Sequence, residues 1–94
     1  MQKFFEEIRK NLSKSQRNKL VRKINNSNLF RFTPLFKNKT RESLSGWVDI
    51  SEENSDPVGF IGEDSEGFYL ELVNINLKFP KDYHSELREI YLDV

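Results

Sequence analysis

Apolar and polar positions alternate in two different rhythms along this chain, and the rhythm changes near residue 29. Up to Leu12 the apolar residues Met1, Phe4, Phe5, Ile8 and Leu12 recur at helical spacing and form one stripe. Glu6 and Lys10 add a favourable i,i+4 pair on the polar side. This pattern predicts an amphipathic helix facing a core. Continued past Ser15, the same helix would carry Leu20 and Ile24 far round its axis from the first stripe, so the chain must break. Ser13 and Gln16 have the spacing of a capping box, which satisfies backbone donors at a new helix start. A second helix is therefore predicted from about Lys14 to Asn25, stopped by Asn25-Asn26-Ser27-Asn28 because Asn tolerates the left-handed conformation that ends helices.

On this second helix Leu20, Val21 and Ile24 make the apolar edge, and Lys19, Arg22 and Lys23 fan across the other side with Lys14 at one flank. Arg17 falls inside the apolar arc, so its stem is expected along the core with the guanidinium reaching outward.

From Leu29 the period is two, and polar turns separate short runs. Phe30, Phe32 and Phe36 share one face, Arg31 and Thr33 the other, and Pro34 implies an edge strand or a bulge. A basic loop, KNKTRES, follows. In LSGWVDIS, Leu44, Val48 and Ile50 face one way, while Trp47 falls among polar neighbours on the other, either beneath a helix or as a binding anchor. The runs VGFIG and FYLELVNINLKF flank the turn EDSEG and predict an antiparallel hairpin. Phase changes between Leu72 and Val73, which predicts a bulge or bend in a curling sheet. In residues 80–94, Tyr83, Leu87, Ile90, Tyr91 and Val94 fit a helix, and Pro80 and Asp82 suit its start; Ile90, Leu92 and Val94 also fit a closing strand.

The expected architecture is α+β in one domain: a helical pair over 1–26, a curled antiparallel sheet of about four strands over 29–79, and a C-terminal helix or strand over 80–94. With a closing strand, such a sheet after an N-terminal helix resembles the small SH3-like and Sm-like barrels. That resemblance is at the level of fold, carries no motif and implies no function.

Composition changes this picture in three ways. The 94 residues form one domain, and 10 Leu, 8 Phe, 6 Ile and 5 Val supply a core without disulfides. Alanine is absent beside nine Asn, a bias that points to AT-rich coding of the kind found in low-GC bacteria, phage and mobile elements. Cysteine is also absent, which removes thiolate metal sites and thiol chemistry. The start MQKFFEEIRK resembles neither a secretory signal nor a membrane span, so the expected location is the cytoplasm.

The zero net charge hides a strong asymmetry. Residues 1–41 carry twelve Lys and Arg against Glu6 and Glu7, net +10, and residues 42–94 carry thirteen acids against Lys78, Lys81 and Arg88, net −10. Lys14, Lys19, Arg22, Lys23, Lys37, Lys39 and Arg41, together with Trp47, are the candidate partner-binding residues.

Candidate chemistry is sparse. His84 is the single histidine and has no recognisable nucleophile around it; P-loop, G-x-G-x-x-G and H-E-x-x-H patterns are missing. The acids Glu52, Glu53, Asp56, Glu63, Asp64 and Glu66 lack calcium-loop spacing. No catalytic residue, metal or cofactor is expected. The expectation is a small non-enzymatic regulatory or inhibitory protein of phage or mobile-element type, steered by charge onto a larger partner protein. Nucleic-acid binding through the basic second helix is the alternative, and self-association as a structural subunit or homodimer is a third.

Overall fold

A computed structural model of the protein describes residues 5–38, 41–51, 56–75 and 82–94, and within these the side chains other than those of 5–7, 9, 37–38 and 41–42. The described residues form β1 (Phe5–Leu12), α1 (Lys14–Asn26), β2 (Phe30–Asn38), β3 (Arg41–Ile50), β4 (Pro57–Asp64), β5 (Gly67–Val73) and α2 (Tyr83–Leu92). The fold is α+β. Its single sheet is antiparallel and open, with strand order β1-β5-β4-β3-β2.

The expected helical pair is not present, because residues 5–12 are a strand against β5. Ile8 and Leu12 are four apart, a spacing that keeps two residues on one side in a strand as well as in a helix. Lys10 stands between them and reads as the polar side of a helix. In the fold its ammonium instead donates to the carbonyl oxygens of Leu92 (2.9 Å) and Val94 (2.7 Å), and its own carbonyl accepts from the Tyr91 hydroxyl. Pairing with β5 makes this segment a strand, and contacts with the C-terminal residues fasten it. Met1 and Phe4 lie outside the described residues.

The second helix forms as its local signals require. Ser13 Oγ accepts from the Gln16 backbone N–H (3.2 Å), and the Gln16 side chain accepts from the Ser13 N–H (2.9 Å). Leu20 and Ile24 are fully buried, with Val21 packed at the margin. After the cap at Ser27, Asn28 takes the left-handed conformation with φ 62° and turns the chain into β2.

Four strands follow as a meander. β2 is an edge strand and its register also shifts after Pro34, so both consequences of that proline occur together. The shift carries Phe36 out of the core, leaving it 64% exposed, whereas Phe30 is buried. The basic loop is shorter than expected, since Lys37 lies in β2 and Arg41 in β3. In the β4–β5 hairpin, Asp64 Oδ1 accepts from the Glu66 N–H (2.9 Å) and Gly67 has φ 128°. A Cβ on Gly67 would stand 2.5 Å from the Leu12 carbonyl oxygen. The phase change after Leu72 is not a bulge: β5 ends at Val73, and Asn74 turns the chain at φ 56° while its amide holds the Pro57 carbonyl. Leu77 and Phe79 lie outside the described residues.

The C-terminal segment is a helix. Asp82 caps it by accepting from the Ser85 N–H (3.1 Å), which also holds the Asp82 carboxyl below its ordinary value. Tyr83, Leu87 and Tyr91 are buried as the stripe predicts, and Leu87 lies so close over Gly59 that a Cβ there would be 2.7 Å from its methyl group. Because this segment is helical, no described segment closes the sheet, and the barrel-like expectation fails with it.

Both helices pack on one side of the sheet, over the cross-strand row Phe32, Val48, Gly59 and Leu72. The opposite row is Thr33, Trp47, Phe60 and Glu71, and no described element covers it.

Two stability changes follow. Gly67→Ala combines a disfavoured φ with the close approach to Leu12 and is expected to cost about 1–3 kcal/mol; Ser13→Ala removes half of the capping box and is expected to cost about 1 kcal/mol. Urea denaturation of both variants checks these values, and a neutral Gly67→Ala would contradict the hairpin geometry.

Candidate functional site

Two surfaces contain the predicted binding residues, on opposite sides of the sheet. The first is the outward side of α1. Lys14, Lys19 and Arg22 are exposed, as their positions opposite Leu20 and Ile24 require. Lys23 is not available in the same way, because its ammonium lies 2.6 Å from the Asp93 carboxylate at the end of α2. That hydrogen bond, and then the charges of Lys23, Lys19 and Lys10, hold the Asp93 carboxyl below its ordinary value. The basic N-terminal half and acidic C-terminal half therefore meet within the molecule. Lys37 and Arg41 occupy strand positions with side chains outside the described set, and Lys39 lies outside the described residues altogether, so of the predicted binding cations only those on α1 have described side chains.

Arg17 departs from expectation. Its stem enters the core as predicted, but the guanidinium is tied to the fold rather than extended free, and the residue as a whole is 9% exposed. Nε donates to the Leu44 carbonyl oxygen (2.9 Å), Nη1 donates to Asn18 Oδ1 (2.8 Å), and the group lies 5.1 Å from the Phe32 ring centroid. Burial pushes its pKa below the ordinary arginine value. The arginine in the apolar arc was visible in the sequence. Its partner carbonyl, 27 residues away on β3, was not.

The second surface is the uncovered side of the sheet. Trp47 is 39% exposed there, not beneath a helix, and packs on Phe60 of β4 with ring centroids 4.9 Å apart at a tilt of 58°. The two rings, Glu71 and Val73 line a shallow groove of about 330 Å³. On the same side the Tyr69 ring covers Gly62, and Thr33 donates to Asp49 (2.9 Å). Period-two alternation placed Trp47 on this side; Phe60 was the missed member, since only strand register brings it beside Trp47.

The remaining candidates for chemistry stay apart. His84 Nε2 lies 2.8 Å from the Val73 carbonyl oxygen in the first turn of α2. Glu63, Asp64 and Glu66 are exposed at the β4–β5 turn, and among the described residues no group of three or more potential ligands is placed to hold a metal ion. Glu52 and Glu53 lie outside the described residues. Among the described residues no helix is long and apolar enough to cross a membrane. No known family, characterised protein or solved structure matches this chain.

The Lys23–Asp93 contact has a definite pH signature. The folded pKa of Asp93 is depressed, so its contribution is fully present above the unfolded aspartate value of about 4 and is lost as pH falls through the lower folded value. Wild type is expected to melt slightly above Asp93→Asn at neutral pH, with the gap closing in acid. A gap that does not close in acid would show that the Asp93 charge is not its source.

Proposed function

We propose that this protein is a small non-enzymatic regulatory or inhibitory protein, of phage or mobile-element type, that docks on a larger partner protein through the uncovered side of its sheet. One observation carries this reading: Trp47 and Phe60 form an aromatic pair on a sheet surface that no described element covers. Aromatic side chains offer large apolar area at low entropic cost and dominate the energetics of protein interfaces. Glu71 beside the rings and Asp49 nearby place acids on this side, where Arg31 is the register partner of Asp49, while α1 presents cations on the other. Such polarity orients an approaching partner before contact and favours one with a basic, aromatic-accepting surface.

A second reading rests on a different observation, the exposure of Lys14, Lys19 and Arg22 along α1. These side chains suit phosphate oxygens and would give affinity without sequence preference. With Lys23 engaged by Asp93, this surface is narrower than the sequence pattern implied. Self-association through oppositely charged sides is the third reading.

The tests separate the three. In affinity capture from the native host with nuclease treatment, one dominant partner protein is expected, and Trp47→Ala should weaken its binding by about 2 kcal/mol or more while the fold is retained. Capture of no partner by the wild type, or undiminished binding by the variant, would overturn the sheet-surface reading. For the second reading, DNA or RNA should be retarded at low salt and released by Lys19→Glu with Arg22→Glu; no retardation by the wild type removes it. Concentration-dependent mass in light scattering, weakening with salt, would instead support self-association.

A further inference from the structure

On the helix side of the sheet, between α1 and the β2–β3 hairpin, a groove of about 490 Å³ is lined by Arg17, Val21, Asn25, Phe32, Pro34, Ser43 and Leu44. Its polar groups share one property. Asn25 Oδ1 accepts from the Phe32 N–H (3.0 Å), which leaves the amide NH₂ as a donor. Ser43 Oγ accepts from the Ser45 N–H (3.1 Å), which leaves its hydroxyl proton to donate. Arg17 has only donors, and its bonds to Leu44 and Asn18 occupy two of five. Each of these side chains thus holds the fold through one or two bonds and still keeps a donor for the groove.

Charge points the same way. Arg17 is buried, and among the described residues no carboxylate pairs with it; its guanidinium meets a carbonyl, an amide oxygen and a ring face. A buried cation without a counter-charge is costly unless an anion completes it. Val21, Phe32, Pro34 and Leu44 supply apolar walls beside these donors.

We infer that this groove binds a carboxylate carried next to an apolar group, with the Arg17 guanidinium taking the carboxylate and Asn25 and Ser43 donating to it. One guanidinium matches a single negative charge, and its planar fork matches two carboxylate oxygens. A dianionic phosphate would meet one cation and leave its second charge unmatched. The carboxylate can belong to a free organic acid or to the end of a peptide chain, which present the same chemistry here. The inference is independent of docking at Trp47, which lies on the other side of the sheet.

The test is an NMR titration of the full chain with N-acetyl-L-phenylalanine and, separately, its amide, following the Arg17 Nε–H, the Asn25 side-chain amide and the Ser43 backbone amide. Saturable shifts are expected with the acid, and binding about tenfold or more weaker with the amide, which has the same apolar body without the charge. Arg17→Lys keeps the charge but loses the fork and should also bind about tenfold or more weakly. Inorganic phosphate should compete poorly. A tripeptide ending in phenylalanine, compared with its C-terminal amide, identifies the source: tighter binding than the single residue assigns the site to chain ends, equal binding assigns it to small acids. Equal binding of acid and amide, or no shift of these signals up to the solubility of the acid, would overturn the inference. Both results are read on wild-type protein, so they hold whether or not an Arg17 variant folds.

Discussion

Everything in this fold depends on α1 spanning the sheet from one edge to the other. β1 and β2, the strands it joins, are the two edges of a five-stranded sheet, so the connection must cross four inter-strand spacings, roughly 19 Å. A helix of 13 residues is about 20 Å long, comparable with the sideways part of that crossing. The antiparallel order also makes β1 and β2 run in the same direction, which a tight turn cannot achieve and a helical crossover can. Once α1 is laid across, the remaining strands fill the width beneath it as a meander. One side of the sheet is then committed to helices, and the other is left to Trp47 and Phe60.

The charge asymmetry takes on a different meaning within this frame. The basic β2 and the neutral β1 are the outer strands and the acidic strands β3 to β5 lie between them, because the sheet order places the late strands in the middle. Two cations then hold the end of α2: Lys10 through carbonyl oxygens and Lys23 through Asp93. A sequence dipole of this size is partly a folding device. On α1, Lys14, Lys19 and Arg22 remain exposed, while Lys23 is drawn to Asp93.

Features decided within one or two turns of chain were legible in the sequence, and features decided by pairing across the fold were not. The capping box at Ser13 and Gln16, the stop at Asn28, the edge and bulge at Pro34, the β4–β5 hairpin and the stripe of α2 are local, and each appears. Residues 5–12 failed because the i,i+4 spacing of Ile8 and Leu12 belongs to both periods and β5 supplies what local propensity does not. Trp47 was placed on the correct side of its strand, yet whether anything covered it depended on both helices choosing the other side. Arg17 was located in the apolar arc, but its bond to Leu44 required the β2–β3 hairpin to fold back under α1.

The pairing of β1 with β5 also orders events in time. β2 to β5 are joined by short connections and can form from neighbouring stretches of chain, whereas β1 must wait for a strand that begins some sixty residues later. Contacts that distant carry the greatest loop-closure entropy and form late. As the chain leaves the ribosome, the N-terminal strand emerges first and docks among the last, and the Tyr91 and Lys10 contacts that complete it draw on residues at the far end of the sequence. The first strand made is therefore one that spends much of synthesis without its sheet.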